Sequence, residues 1–186
     1  MKRYMKTVLA INLLAGSAMA VAAPSGPVVQ QSNAAAVSGQ TTAAPDTEQE
    51  KQRVLDVVRK YTQSVNVGDV QPDLIDSLWE HSPDVSNINI RGHQKGFEDI
   101  KKNFYAPIFA VLKDRHLRMV TNERQPAVYI FDNTAVVEFY WELNAVIIDG
   151  NKPVHMLGRE THVMRRVNGE WKLIHLHYSG MPAKGF

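Results

Sequence analysis

The sequence predicts an α+β domain in which three N-terminal helices pack on a strongly curved antiparallel sheet. Two observations carry this. Up to about residue 112 the apolar residues recur at helical spacing, and from His116 onward the period is two. Turn signals then separate the later apolar stretches: Asp132-Asn133, Asp149-Gly150-Asn151 and Asn168-Gly169. Helices first and a meander afterwards place the helices over one face of the sheet.

The elements follow in order. Thr47-Glu48-Gln49-Glu50 fits a capping box. Val54, Leu55, Val58, Tyr61, Thr62 and Val65 then repeat as one helix face, and Gly68 is expected to close that helix at positive φ. Pro72 sits in the first turn of a second helix ending near Trp79. An extended piece runs from Val85 to Ile90. Phe97, Ile100, Phe104, Ile108 and Val111 mark a third helix over 96–112, which Pro107 should kink or break. Strands are expected at 116–123, 126–131, 134–148, 154–167 and 171–179. Along 134–148, Val137, Phe139, Trp141 and Leu143 form the inner set, and Glu138, Tyr140, Glu142 and Asn144 the outer one. The outer set is too aromatic for a purely solvated face. It suggests a second copy of the chain, in a dimer burying about 1,200–2,000 Å².

Composition sets the bounds. The 186 residues suffice for one ordinary domain, and 44% hydrophobic with 22% charged residues is a globular balance. No cysteine is present, which excludes a disulfide framework, a thiolate metal site and a cysteine nucleophile. The net charge is +2, but Lys2, Arg3 and Lys6 lie at the extreme N-terminus, and without them it is −1, so there is no electrostatic case for nucleic acid. Met1 to Ala20 has the basic, apolar and small-x-small order of a signal peptide, with cleavage expected after Ala20 or, second, after Ala22. Its apolar run is far short of the ~20 residues a membrane span needs. Residues 21–46 read as a disordered linker and 47–186 as the domain, in a periplasmic or secreted protein.

Several motifs together resemble a known family. They are Val67-Gly68-Asp69, Lys95-Gly96-Phe97, Glu160-Thr161-His162-Val163, Asn168-Gly169-Glu170-Trp171 and His175-Leu176-His177-Tyr178-Ser179-Gly180. Over about residues 50–184 the chain resembles the association (hub) domain of calcium/calmodulin-dependent protein kinase II, within the nuclear-transport-factor-2-like or SnoaL-like superfamily. The resemblance implies a conical fold, a pocket between sheet and helices, and a dimer across the back of the sheet. The superfamily includes isomerases, dehydratases, cyclases and epoxide hydrolases. Hub domains project arginines into the pocket; the matching positions here are Trp141, His162 and Tyr178, none of them Arg. The pocket is therefore expected to be aromatic with one titratable centre, suited to a flat or apolar ligand with one or two polar groups. Tyr61 and Trp79, on the first two helices, are further candidates for its wall, although aromatic residues at helical spacing are ordinarily core.

His162 beside Glu160 is the candidate general acid/base pair. His175 and His177 share a face at about 7 Å, and a metal site there needs a third ligand, with His162 or Glu160 nearest. If Asn168-Gly169 is a two-residue turn, 162 lies opposite 175 and the histidines cluster. If the loop has three residues and a bulge, 162 lies opposite 174, and His175 and His177 turn to the back. The resemblance favours the second register, and neither metal nor cofactor is expected. Arg159, Arg165 and Arg166 read as cross-strand partners of Glu138 and Glu142. The expected protein is an exported, self-associating module that binds a small molecule. The alternative is a cofactor-free isomerase, dehydratase or hydrolase using His162 as acid/base.

Overall fold

The computed structural model describes residues 47–122 and 124–181. The expected signal peptide (1–20), the linker (21–46) and the last five residues of the domain lie outside the described residues.

Helix α1 (Thr47–Val67) buries the predicted face, Val54, Leu55, Val58, Tyr61 and Val65. Gly68 follows it, but φ is not positive there. Glycine is needed instead because a Cβ would overlap the Ser64 carbonyl and crowd Ile75. Glu50 turns its carboxylate toward the sheet: it accepts from Trp171 Nε1 at 3.1 Å and pairs with Arg166. The residue that reads as half of a capping box thus ties the start of α1 to the last hairpin. Helix α2 (Asp73–Leu78) is one and a half turns long, with Pro72 at its cap.

A hairpin of two four-residue strands, β1 (Ser86–Asn89) and β2 (Gly92–Lys95), comes next. Only the first was expected. Gly-His-Gln-Lys carries neither alternation nor β-branched residues, so nothing marks it as a strand. The third helical run is continuous from Phe97 to Val111: α3 (Phe97–Ile100), a π-helical segment (Lys101–Tyr105) and α4 (Ala106–Val111). Pro107 does not end it. The segment before it widens, with the Ala106 N–H reaching back five residues to Lys101 O, and absorbs the proline's missing donor.

Five long strands complete the sheet: β3 (Leu112–Val120), β4 (Ala127–Phe131), β5 (Thr134–Ile147), β6 (Lys152–Val167) and β7 (Glu170–Gly180). The order is β2-β1-β7-β6-β5-β3, with β4 sharing the β5 edge with β3. All neighbours are antiparallel except β1 and β7, which run parallel. β3 starts four residues before the expected strand because a bulge at Asp114, φ 50°, divides it. The bulge turns Arg115 inward, where Nε donates to Val65 O at 2.9 Å and Nη2 pairs with Asp69 at 2.5 Å. That guanidinium holds the Asp69 carboxyl below the ordinary carboxylate range.

The core lies between the helices and the inner sheet face. Val54, Val58, Ile100, Val137, Met164, Leu173 and Leu176 are fully buried there, each contributing about 1.5–3 kcal/mol. The back-face ion pairs differ from those expected. Arg165 pairs with Glu80, Arg166 lies on the helix side with Glu50, and Glu142 pairs with Arg118 and His155.

Candidate functional site

The site begins with the register of the last hairpin. Asn168 and Gly169, φ 51° and 84°, form a two-residue turn that pairs Val167 with Glu170. Three pairs further on, Met164 opposes Leu173 but Val163 opposes His175, so Ile174 is a bulge. His162 therefore lies opposite Leu176, in neither of the two expected registers. The outcome for the faces is the one the resemblance favoured, although the extra residue sits in the strand rather than at the turn. Glu160, His162 and Tyr178 share the inner face, and His175 and His177 the back. The sheet then separates those two histidines from His162 and Glu160, the third ligands a metal would need. Among the described residues no group of three or more such side chains is placed to hold a metal ion.

Between the inner face and the helices lies a cavity of about 110 Å³. Its walls are mostly apolar: Val65 from α1, Phe104 and Ile108 from the third helical run, and Leu117, Trp141, Leu143 and Met156 from the sheet. Tyr61, Glu160 and Tyr178 add polar atoms, and Ile90 and Arg91 bring the β1–β2 turn to its edge. Of the expected ligand-binding residues, Trp141, Tyr178 and Tyr61 line this space, and His162 does not. Its ring is wholly buried behind Glu160, edge-on to Tyr61 at 4.8 Å and to Phe139 at 4.9 Å. Trp79 is core, its Nε1 donating to Tyr105 OH at 3.2 Å.

Each side chain has a local cause. Trp141 can lie flat because its partner across the β5–β6 ladder is Gly158, where a Cβ would overlap the indole ring. The indole then meets Tyr178 edge-on at 5.9 Å, and its buried Nε1 has no acceptor among the described residues. Glu160 is 4% exposed and faces Tyr178 across the β6–β7 ladder. His162 Nε2 donates to Glu160 Oε1 at 3.0 Å, which leaves the buried Nδ1 without a partner among the described residues.

The electrostatics follow from burial around one carboxylate. Burial first, and then the Glu160 charge, push the Tyr61 hydroxyl well above 10. The same two causes raise Tyr178 to about 12, while the Arg91 guanidinium acts in the opposite sense. Both phenols are thus neutral hydrogen-bond donors at neutral pH, set around an acceptor in an apolar box. Such a site can bind a polar group and discriminate its hydrogen-bonding pattern. Arg91 escaped the sequence reading because nothing in Ile90-Arg91-Gly92 marks an exposed turn as the edge of a cavity.

The comparisons with known proteins agree with this architecture. The profile of the SnoaL-like domain matches residues 54–184. A nuclear-transport-factor-2-like superfamily protein from Salmonella enterica serovar Typhimurium is 33% identical; the match covers 75% of this chain and 96% of that one, with a TM-score of 0.68. A protein from Streptomyces avermitilis, provisionally described as a dehydratase of the same family, is 19% identical at TM-score 0.61, covering 75% of this chain and all of its own. The association domain of the Caenorhabditis elegans kinase II is 18% identical at TM-score 0.55, covering 71% of this chain and 96% of its own. These last two are similar in fold alone. No curated protein matches the sequence. With its helices N-terminal to an open, curved seven-stranded sheet and the family profile spanning nearly the whole described region, the chain belongs to the SnoaL-like family of the nuclear-transport-factor-2-like fold.

Proposed function

We propose that this domain binds a compact, largely apolar small molecule in the cavity under its sheet. One observation supports this above the others: a single buried carboxylate, Glu160, is set in an apolar lining with the neutral phenols Tyr61 and Tyr178 nearby. An apolar ligand body replaces water against Trp141, Phe104 and Met156, and a hydrogen-bond donor on it meets Glu160. The test is a fragment screen on the full chain followed by ¹H–¹⁵N NMR, with W141A as control. Binders should shift the amides of Trp141, Glu160 and Tyr178, and W141A should weaken them at least about tenfold by removing a large flat contact. Binders that shift none of these amides, or that bind W141A like wild type, would overturn the assignment.

A second reading, acid/base catalysis without a cofactor, is favoured by the same carboxylate. It is near the ligand space and held by His162, so Glu160 would be the group that moves a proton and His162 would position it. The Streptomyces avermitilis protein described as a dehydratase shares the fold. Turnover of a bound ligand that is lost in E160Q while binding persists separates this reading from binding alone.

The reading includes self-association through the back of the sheet and export directed by the N-terminal segment. The first is supported by Tyr129, Phe131 and Leu157, which stand 47%, 62% and 47% exposed on back-face positions of β4 and β6. The similarity to an association domain points the same way. Light scattering should give a dimer mass that falls toward the monomer in F131E. A concentration-independent monomer would overturn it.

A further inference from the structure

We propose that Arg91 makes the cavity selective for a carboxylate, so that its occupant is a compact apolar acid rather than a neutral molecule. The inference rests on the binding reading above and adds the ligand's charge to it.

Arg91 lies at the tip of the β1–β2 hairpin, in the turn formed by Ile90 and Arg91 between paired Asn89 and Gly92. The tip is held by amides rather than by apolar packing. The Arg91 N–H donates to Asn89 Oδ1 at 2.8 Å, and Asn89 Nδ2 donates to Gln94 Oε1 at 2.6 Å and to Asn87 Oδ1 at 3.3 Å. Asn87 is fully buried and Gln94 nearly so. A buried amide ladder in a hairpin this short fixes the turn, and with it the start of the Arg91 side chain at the cavity edge.

Among the described residues the Arg91 side chain has no hydrogen-bond or ion-pair partner. Other arginines on the helix side of the sheet are engaged, as Arg115 is with Asp69 and Arg166 with Glu50. Arg91 is therefore a cation at the edge of an apolar cavity with its donors unspent. Charge also orders the two ends. Glu160 is 4% exposed and Arg91 is exposed, and the Tyr178 hydroxyl feels both. A ligand carboxylate placed against Glu160 is repelled in a medium of low dielectric. Turned outward it meets a guanidinium whose planar fork matches it with two parallel hydrogen bonds. The apolar body then fills the space between, against Trp141 and Phe104, and any hydrogen-bond donor on it reaches Glu160.

Two matched pairs test this on the full chain by calorimetry: 3-phenylpropionate against 3-phenylpropionamide, and hexanoate against hexanamide. Each pair holds the body constant and changes the charge. Wild type should prefer the acid by about three- to tenfold at low salt, a range set by the exposure of Arg91. The preference should shrink as ionic strength rises from about 20 to about 500 mM. R91Q should bring the ratio to about one, and R91K should keep part of it. Equal binding of acid and amide by wild type, or a preference that survives R91Q, would overturn the inference and leave the binding reading standing. If neither member of either pair binds, both fall.

Discussion

His162 stands behind Glu160 rather than beside the ligand space: its Nε2 lies 3.0 Å from Glu160 Oε1, and its ring is fully buried while the carboxylate lines the cavity. The pair divides into a group that can meet a ligand and a group that holds it. This inverts the roles that residue type alone suggests, since imidazole is the commoner proton shuttle.

The division predicts opposite profiles for two variants. H162A opens a void between Tyr61 and Phe139 and strips Glu160 of its imidazole donor. It should cost about 3 kcal/mol or more of stability. E160Q keeps the volume and can still accept from Nε2, so its cost should stay under about 1.5 kcal/mol. Urea unfolding reads both variants. A stable H162A, or an E160Q as unstable as H162A, would contradict the arrangement.

Gly158 is the position on which Trp141 depends. A Cβ there meets the indole ring and the backbone carbonyl of Ser179, and the second cannot move without opening the β6–β7 ladder. G158A should therefore cost about 1–3 kcal/mol, the range for overpacking. It should also shift the tryptophan fluorescence as the indole leaves its place. A variant with wild-type emission and unfolding midpoint would show that the indole does not rest on Gly158.

Tyr178 makes an alkaline prediction. Burial and Glu160 raise its hydroxyl to about 12, so the folded protein keeps the proton over a range where the unfolded chain has lost it. Stability from this group is complete below about pH 10 and is lost as pH rises from 10 toward 12. In difference spectra at 295 nm, the signal missing from Y178F should be absent at pH 10 and appear only near pH 12. Its appearance at pH 10 would place the hydroxyl in water.

Much of this architecture is legible in the sequence, for physical reasons. Alternation along 134–148 puts Trp141 inside because a strand has period two, and the same rule keeps Glu160 and His162 on one face. What is illegible depends on single residues without a local mark. The bulge at Ile174 sits in Leu-Ile-His, with neither glycine nor proline to announce it, yet it decides which face carries His175 and His177. The π-helical segment before Pro107 is a tertiary accommodation of a proline that reads as a break. Glu50 satisfies a capping pattern and spends its carboxylate on Trp171 and Arg166, partners more than a hundred residues away. Arg91 sits on a turn whose place beside the cavity follows from parallel pairing of β1 with β7, a long-range contact that no local pattern encodes.

His175 makes the last prediction, in the acid range. It is partly buried on the back face, with Nδ1 2.7 Å from Ser86 Oγ. Burial lowers its pKa below 6.5, and the neighbouring His177 and His93, with His162 through the sheet, act in the same direction. Lys95 on β2, opposite Ser86, adds a further positive charge on that side, and Val163 opposite on β6 offers none of either sign. The folded state therefore binds fewer protons at this ring than the unfolded chain does. Stability from the neutral ring is fully present above pH 6.5 and is lost as pH falls through the lowered folded value. His175→Gln removes the titration and retains a group able to bond Ser86. The fall in melting temperature from pH 8 to pH 5 should be smaller in H175Q than in wild type. An equal fall in both would mean that His175 titrates alike in the folded and unfolded chains, and that the back face does not shield it.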